Sequence, residues 1–450
     1  MRVSDLEKSL GITTYLTKTA GIGGRIKTSP EDFIVREILL NGSIASLGTQ
    51  AWKEERRGKH TICVLTKRSR DTLLTLEEVA RRLGVPKGRI GFGGIKDARA
   101  LTAQHVSLMG VSPERISRAR FHDMVIRPIG FAAKPLKPDQ IWGNDFTIVI
   151  TGVTEDSTVV ETRIAALSQE LKERGGVPNF FGHQRFGTVR PVTHLVGRNI
   201  AYRDFAGAVM TFLGWSSPFE PTDSRIARER LRKTENFEEA LQTFPRRLRF
   251  ERRVLEYLHN HPKDYVGALR QLPLALRRLL LQAYQSYLFN LALSRRIELK
   301  TPLNRCEIGD CVVPISNGIP SHRYWRTHGE SLRTLNEKIR KGEALLAIPL
   351  IGYKSPPSQG IQAEVEKRIL VEEGVARRSF YVGALEEVST RGGLRTALTL
   401  PRNLSIRQSP NEAEPGKAKI ALRFRLPRGS YATALVREIV KPHDLIAAGF

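Results

Sequence analysis

Apolar and polar positions alternate in "KIALRFRLP", Lys419 to Pro427. Ile420, Leu422, Phe424 and Leu426 share one face and Arg423 and Arg425 the other, which predicts a strand with one buried side. "DFIVREILL" (Asp32 to Leu40), "HTICVLTKR" (His60 to Arg68) and "DFTIVITGV" (Asp145 to Val153) have the β-branched character of further strands, the first two expected as neighbours. Helical spacing takes over at Leu76, Val79, Ala80 and Leu83, with Thr75 and Glu78 as a capping box and Gly84 as the stop. Val160, Ile164, Leu167 and Leu171 mark one face of a second helix, ended by Gly175 and Gly176. Residues 199–280 are helical and strongly charged in pattern, and "AYQSYLFNLALSRRI" (Ala283 to Ile297) extends that body. Between residues 309 and 378 short strands alternate with Pro and Gly turns. "SYATALVREIV" predicts a last helix, and "RQSPNEAEPGKAK" (Arg407 to Lys419) is the most linker-like stretch. No internal repeat or low-complexity segment stands out.

At 450 residues the chain exceeds what one hydrophobic core usually serves, so two domains, or one interrupted by an insertion, are expected. Lys and Arg number 72 against 46 Asp and Glu, a net charge of +26. Such an excess calls for a polyanionic partner. Nucleic acid fits better than membrane, because the charge is spread along the chain and not gathered on one amphipathic helix or tail; an inert basic surface is the bland alternative. Cys63, Cys306 and Cys311 are too few and too scattered for a disulfide framework. They predict a reducing compartment and no metal site. The first twenty residues lack an apolar signal segment and no run of 18 apolar residues occurs, so a soluble, cytoplasmic protein without membrane contact is expected.

The stretch "GFGGIKDARALTAQ" (Gly91 to Gln104) carries a glycine cluster without the spacing of a P-loop or a dinucleotide site. Its glycines therefore serve a tight bend or a close approach. Taken alone, Asp97 between Lys96 and Arg99 reads as a surface ion pair, and Phe33 and Phe146 read as core. "VPNFFGHQRFG" mixes cations with aromatics, which suits an RNA backbone with splayed bases or an interdomain hinge. His183 and His194 lack a partner nucleophile or a third ligand and receive no chemical role.

"GGIKDARALTAQ" resembles the hallmark segment of the TruD family of pseudouridine synthases, in which a Lys-Asp pair is followed by Ala and then Thr-x-Gln. Five further segments resemble that family in the same order: "IKTSPEDFIVREI", "GNDFTIVI", "GVPNFFGHQRFG", "QSYLFNLALSRR" and "LPRGSYATALVREIV". The resemblance runs from about Arg25 to the C-terminus and is weakest around residues 200–270 and 315–345. "RFGTVRPVTHLVGR" is closer to the archaeal and eukaryotic branch.

The resemblance implies an isomerase that turns a tRNA uridine, usually at position 13, into pseudouridine by breaking C1′–N1 and joining C1′ to C5. It implies no cofactor, tRNA as the partner, and a monomer. It also implies an α/β (α+β) fold: a catalytic domain with a mixed, mainly antiparallel sheet from residues 1–179 and 389–450, interrupted by an inserted α/β domain at 180–388. The two ends of the chain must then fold together. Asp97 is implied as the catalytic group, attacking C1′ or the uracil ring or removing a ribose proton, with Lys27 as its cation. Phe33, Asn144, Phe146 and Tyr431 would bind the extruded uridine. Extrusion costs roughly a few kcal/mol, against about 1–3 kcal/mol per base stacked on an aromatic ring. Lys96, Arg99, Gln184, Arg185 and Arg190 are expected RNA contacts. A noncatalytic RNA-binding or chaperone protein is the alternative; a donor-dependent RNA transferase should carry a glycine-rich donor motif, which is missing.

Overall fold

The computed structural model describes residues 2–48, 58–410 and 418–450. The chain forms two compact units, one of Thr17–Val177, Asn317–Ile319 and Thr399–Phe450, the other of Met1–Leu16, Pro178–Ser316 and Pro320–Leu398.

The first unit is built on eight strands: β1 (Phe33–Leu39), β2 (His60–Arg68), β3 (Ile90–Phe92), β4 (Leu101–Met109), β5 (Met124–Ala132), β6 (Ile141–Val153), β7 (Arg402–Pro410) and β8 (Ala418–Pro427). They lie in the order β7-β8-β6-β1-β4-β2-β5, with β3 added to β4. Only β1 and β4 run parallel; the remaining pairings are antiparallel. The α/β fold with a mixed, mainly antiparallel sheet is therefore as expected. The distant ends of the chain do meet here, since β8 pairs with β6 from Ala418 opposite Val153 to Pro427 opposite Gly143.

β1 and β2 are not neighbours: β4 lies between them. At the two ends of the segment expected to be a linker, residues 407–410 and 418–419 lie in β7 and β8, paired as far as Pro410 opposite Ala418; the rest of that segment, residues 411–417, lies outside the described residues. The first helix, α1 (Thr72–Arg82), also begins earlier than its apolar spacing suggests. Asp71 caps it, its Oδ1 accepting from Leu73 N at 2.8 Å and Leu74 N at 3.0 Å, so Thr75 and Glu78 fall inside the helix and form no capping box. Helix α2 (Ser157–Glu173) buries Val160, Leu167 and Leu171, and α3 (Ala432–Val440) follows β8.

Cross-strand partners point to the same side of a sheet, so register gives the composition of each face. On one face, Cys63 and Leu65 of β2 and Val106 and Leu108 of β4 join Leu76, Val79, Ala80 and Leu83 of α1 in a dry cluster. Toward the middle the same face turns polar, with Lys67 opposite Thr102 and Glu37 opposite Asn144. Farther along it is aromatic, with Phe146 opposite Phe424. Gly143 is required at this point: a Cβ there would meet Leu426 O at 2.0 Å, so only glycine lets β6 and β8 approach this closely.

In the second unit, seven helices from Thr193–Tyr202 to the 25-residue Leu274–Glu298 precede a sheet of Cys311–Ser316, Trp325–Arg326, Ala344–Leu350 and Gly393–Thr396. Helices Leu332–Arg340 and Gly360–Glu372 interrupt the region expected to hold only strands and turns. The first sixteen residues, expected with the catalytic part, belong to this unit. Asn290 Nδ2 donates to Leu10 O at 3.0 Å and Ser294 Oγ to Gly11 O at 2.9 Å, tying them to the long helix. Residues 389–398 fall here as well.

Phe424 is buried and stacked on Phe146 at 5.3 Å between centroids. Phe424→Ala should cost roughly 3–5 kcal/mol in urea unfolding, whereas Arg423→Ala on the exposed face should stay within about 0.5 kcal/mol. Equal effects would contradict this assignment of faces.

Candidate active site

The site arises from a break in one edge of β4. β1 pairs with β4 only from Ile34–Leu101 to Arg36–Ala103 and then leaves it, and β3 takes over the same edge from Phe92–Val106 to Ile90–Leu108. His105 N–H falls in the gap. It donates to Glu37 Oε2 at 3.0 Å, so a side-chain carboxylate replaces the missing strand partner. The loop 93–100, which joins β3 to the start of β4, carries Lys96 and Asp97.

Lys96 points inward. Its backbone is held from both sides by Thr72, Lys96 N donating to Thr72 Oγ1 at 3.0 Å and that hydroxyl donating to Lys96 O at 3.2 Å. Its ammonium lies 2.7 Å from Glu37 Oε1 and donates to Asn144 Oδ1 at 2.8 Å. Burial alone would raise the Glu37 carboxyl, but His105 and Lys96 outweigh it and hold it below the usual glutamate range. The expected RNA contact through Lys96 is thus replaced by a buried ion pair. A strand carboxylate needing a counterion explains the direction it takes.

Asp97 follows with its side chain 27% exposed and its carboxylate 3.6 Å from the ammonium of Lys27, whose side chain is 8% exposed. Burial pulls the Lys27 ammonium below the ordinary lysine value; Asp97 opposes that shift and Arg99 adds slightly to it. Lys27 takes a φ of +56°, a left-handed conformation that costs a non-glycine residue of order 1–3 kcal/mol. Its neighbours fix it. Arg25 N and O bond to Thr151, Ile26 N donates to Ala448 O at 2.9 Å, and the Thr28 and Thr151 hydroxyls lie 2.8 Å apart. Gly449, at φ +81°, could not be replaced here, since a Cβ would stand 1.9 Å from Ile26 O.

The Lys27 ammonium also lies 4.5 Å from the ring centroid of Phe33, a cation–π contact. Phe33 meets Phe146 edge to face at 6.3 Å, and Phe146 stacks on Phe424. Phe33 is 1% and Phe146 5% exposed. These rings form a buried floor under the ion pair, not the open stacking faces expected of them, because their strands lie well inside the sheet. Asn144 is half-buried beside this floor. Tyr431, also half-buried, stands just before the first residue of α3, a few residues after β8 leaves Gly143. Arg99 is exposed on the loop.

The expected contacts from "HQRFG" and beyond belong to the other unit. Arg185 is tied to the long helix through Ser286 and Gln282, with Gln184 half-buried beside it. Arg190 donates to Phe212 O and Trp215 O and pairs with Glu251 at 3.6 Å; burial, reinforced by Arg228, lowers it to about 10. It is a structural cation, and the RNA contact assigned to it is not supported. His194, buried and lowered to about 4 by that burial, is packed between Phe186 and Tyr287.

Two residues of the site were not anticipated, Glu37 and Lys67. Lys67 Nζ donates to Asp97 O at 2.8 Å and to Arg70 O at 2.7 Å. Both were legible, because alternation places Glu37 on the side of Phe33 and Val35, and Lys67 on the side of Cys63 and Leu65. A charge on the apolar side of a strand needs a buried partner. Among the described residues no cluster of His, Cys, Asp or Glu could hold a metal ion, and no helix is long and apolar enough to cross a membrane.

The family of tRNA pseudouridine synthase D (TruD) matches residues 9–439. A protein of Methanosarcina mazei named probable tRNA pseudouridine synthase D is 37% identical over 447 residues, 99% of each chain. One of the same name from Thermococcus gammatolerans is 37% identical over 430 residues, 95% of this chain and 97% of the other. The crystal structure of the putative tRNA pseudouridine synthase D from Methanosarcina mazei superposes with a TM-score of 0.82 at 37% identity, covering 98% of this chain and 99% of that one.

Removing Glu37 would strand the buried Lys96 ammonium, so Glu37→Ala should destabilise the protein by roughly 3–5 kcal/mol. The folded carboxyl sits below its unfolded value of about 4.3. Its contribution is therefore present above that pH and lost as pH falls through the lower, folded value. Denaturation of both proteins should show the difference shrinking in acid; a loss that stays constant from pH 7 to pH 3 would contradict the pairing.

Proposed function

This chain belongs to the tRNA pseudouridine synthase D (TruD) family, and from that membership we propose that it isomerises a uridine of tRNA to pseudouridine, position 13 being the expected target. The observation that carries the reading is the Asp97 carboxylate, partly exposed and held beside a buried ammonium. A uracil stacked within RNA offers neither its C1′–N1 bond nor its C5 to a protein group, so the nucleotide must leave the stack and enter the site. Asp97 then stands at the junction of sugar and base. Attack on C1′, attack on the ring, and removal of a ribose proton all require the ionised carboxylate, which Lys27 faces across the ion pair.

The isomerisation is redox neutral and transfers no group from a second molecule, so it calls on no cofactor. Asn144 has its carbonyl engaged by Lys96, which leaves its amide to donate to a uracil oxygen. Phe33 and Phe146 act from beneath, stiffening the floor and excluding water from the pair. Tyr431 would close the uridine pocket from the α3 side. Arg99 and the wider positive charge would meet phosphates, and the protein would act in the cytoplasm as a monomer.

Asp97→Asn removes the ionisable group with little change in shape. Pseudouridine formation should fall by roughly 10²–10⁴-fold, with tRNA affinity retained. Equal modification by both proteins would remove Asp97 from the chemistry, and no modification by the wild type would leave the RNA-binding alternative. A tRNA with cytidine at position 13 should lose the modification; pseudouridine appearing elsewhere at an undiminished rate would reassign the target. If the +26 charge binds RNA, affinity should fall with salt at a log-log slope of several units, and a flat response would refute that use of the charge.

A further inference from the structure

We propose that Lys67 is a positioning residue for this reaction: its buried ammonium holds the Asp97 carbonyl, and so sets the direction in which the Asp97 carboxylate leaves the loop. The inference rests on the reading of Asp97 given above. Lys67 is completely buried, and both of its acceptors, Asp97 O and Arg70 O, are neutral carbonyls. A buried ammonium is costly by several kcal/mol where an apolar side chain of similar length would fill the space. Packing alone therefore gives no reason for a lysine on this face of β2. The backbone of Asp97 does.

Two peptide planes flank the Cα of Asp97. Thr72 Oγ1 fixes the one before it, through Lys96 O, and Lys67 Nζ fixes the one after it, through Asp97 O. With both planes held, the Asp97 backbone dihedrals are set, and only side-chain rotation remains to meet Lys27. A shift of about 1 Å in a reacting group can cost roughly 10²-fold in rate. Charges around the Lys67 ammonium act in both directions: Asp97 and Asp71 favour its protonated form and Lys96 opposes it. Burial is the largest influence and lowers it to about 8. Above that pH the positive charge is lost, and with it the firm hold on the carbonyl.

The test is kcat on tRNA from pH 6 to pH 9.5 for wild type, Lys67→Met and Lys67→Arg, each checked for folding by circular dichroism. At pH 7, Lys67→Met should lose roughly 10²-fold in kcat with tRNA Kd within about twofold of wild type. Wild-type kcat should fall above about pH 8, and in Lys67→Arg that fall should move upward, because a guanidinium stays charged. A structural role would lower thermal stability without moving the pH profile. A Lys67→Met kcat within twofold of wild type, or the same alkaline fall in wild type and Lys67→Arg, overturns the proposal. Should both variants fail to fold, the Lys67 ¹⁵Nζ titration in the wild type must coincide with the alkaline fall in kcat; a separation of more than one pH unit overturns it. Activity retained by Asp97→Asn would defeat the reading of Asp97 itself, whereas an inactive Asp97→Asn beside a normal Lys67→Met would defeat this inference alone.

Discussion

The structure around the site depends on one contact, the buried ammonium of Lys27 against the carboxylate of Asp97. Withdrawn from water without a partner, the ammonium would be costly to keep charged. Placed beside Asp97 it meets a carboxylate whose charge opposes that cost of burial. The pair does not supply stability so much as it holds the carboxylate that must react against a fixed cation. The left-handed backbone at Lys27 fits this view, since strain of that kind persists only where surrounding contacts fix it.

The eight-stranded sheet makes the contact possible through an irregularity. An edge of β4 shared by β1 and β3 leaves a gap, which the Glu37 carboxylate fills, and Glu37 then needs Lys96. With Lys96 drawn inward and the next carbonyl taken by Lys67, Asp97 is the acid that keeps a path to solvent. In this sheet face a dry cluster lies at one end and an aromatic floor at the other, and the ionised groups occupy the band between them. Low surrounding polarity strengthens each interaction in that band.

Much of this was readable in the chain. The alternation in β8 identified its buried side residue by residue, and "HTICVLTKR" matched β2 at both ends. Motif order alone assigns Lys27, Asp97, Asn144 and Phe146 to one unit, the one that holds them in the fold. What escaped was non-local. Nothing within β1 or β2 says that β4 will lie between them, because that pairing depends on a parallel contact made 67 residues away, as in Ile34 with Leu101. Asp71 outcompeted Thr75 as a cap because its carboxylate reached two amides, a choice that apolar spacing does not register. Lys96 was assigned to the surface for a similar reason. Its sequence neighbours Asp97 and Arg99 are both more exposed, and only the buried Glu37 from another strand determines that it points inward.

The central claim is that Lys27 and Asp97 form a coupled, desolvated pair, and the ¹⁵Nζ titration of Lys27 by NMR tests it most directly. In the wild type the ammonium should titrate below the ordinary lysine value because of its burial, and in Asp97→Asn it should titrate lower still, since the carboxylate is what opposes that burial. A Lys27 that titrates as a free lysine, or that is indifferent to the loss of the Asp97 charge, would contradict the account.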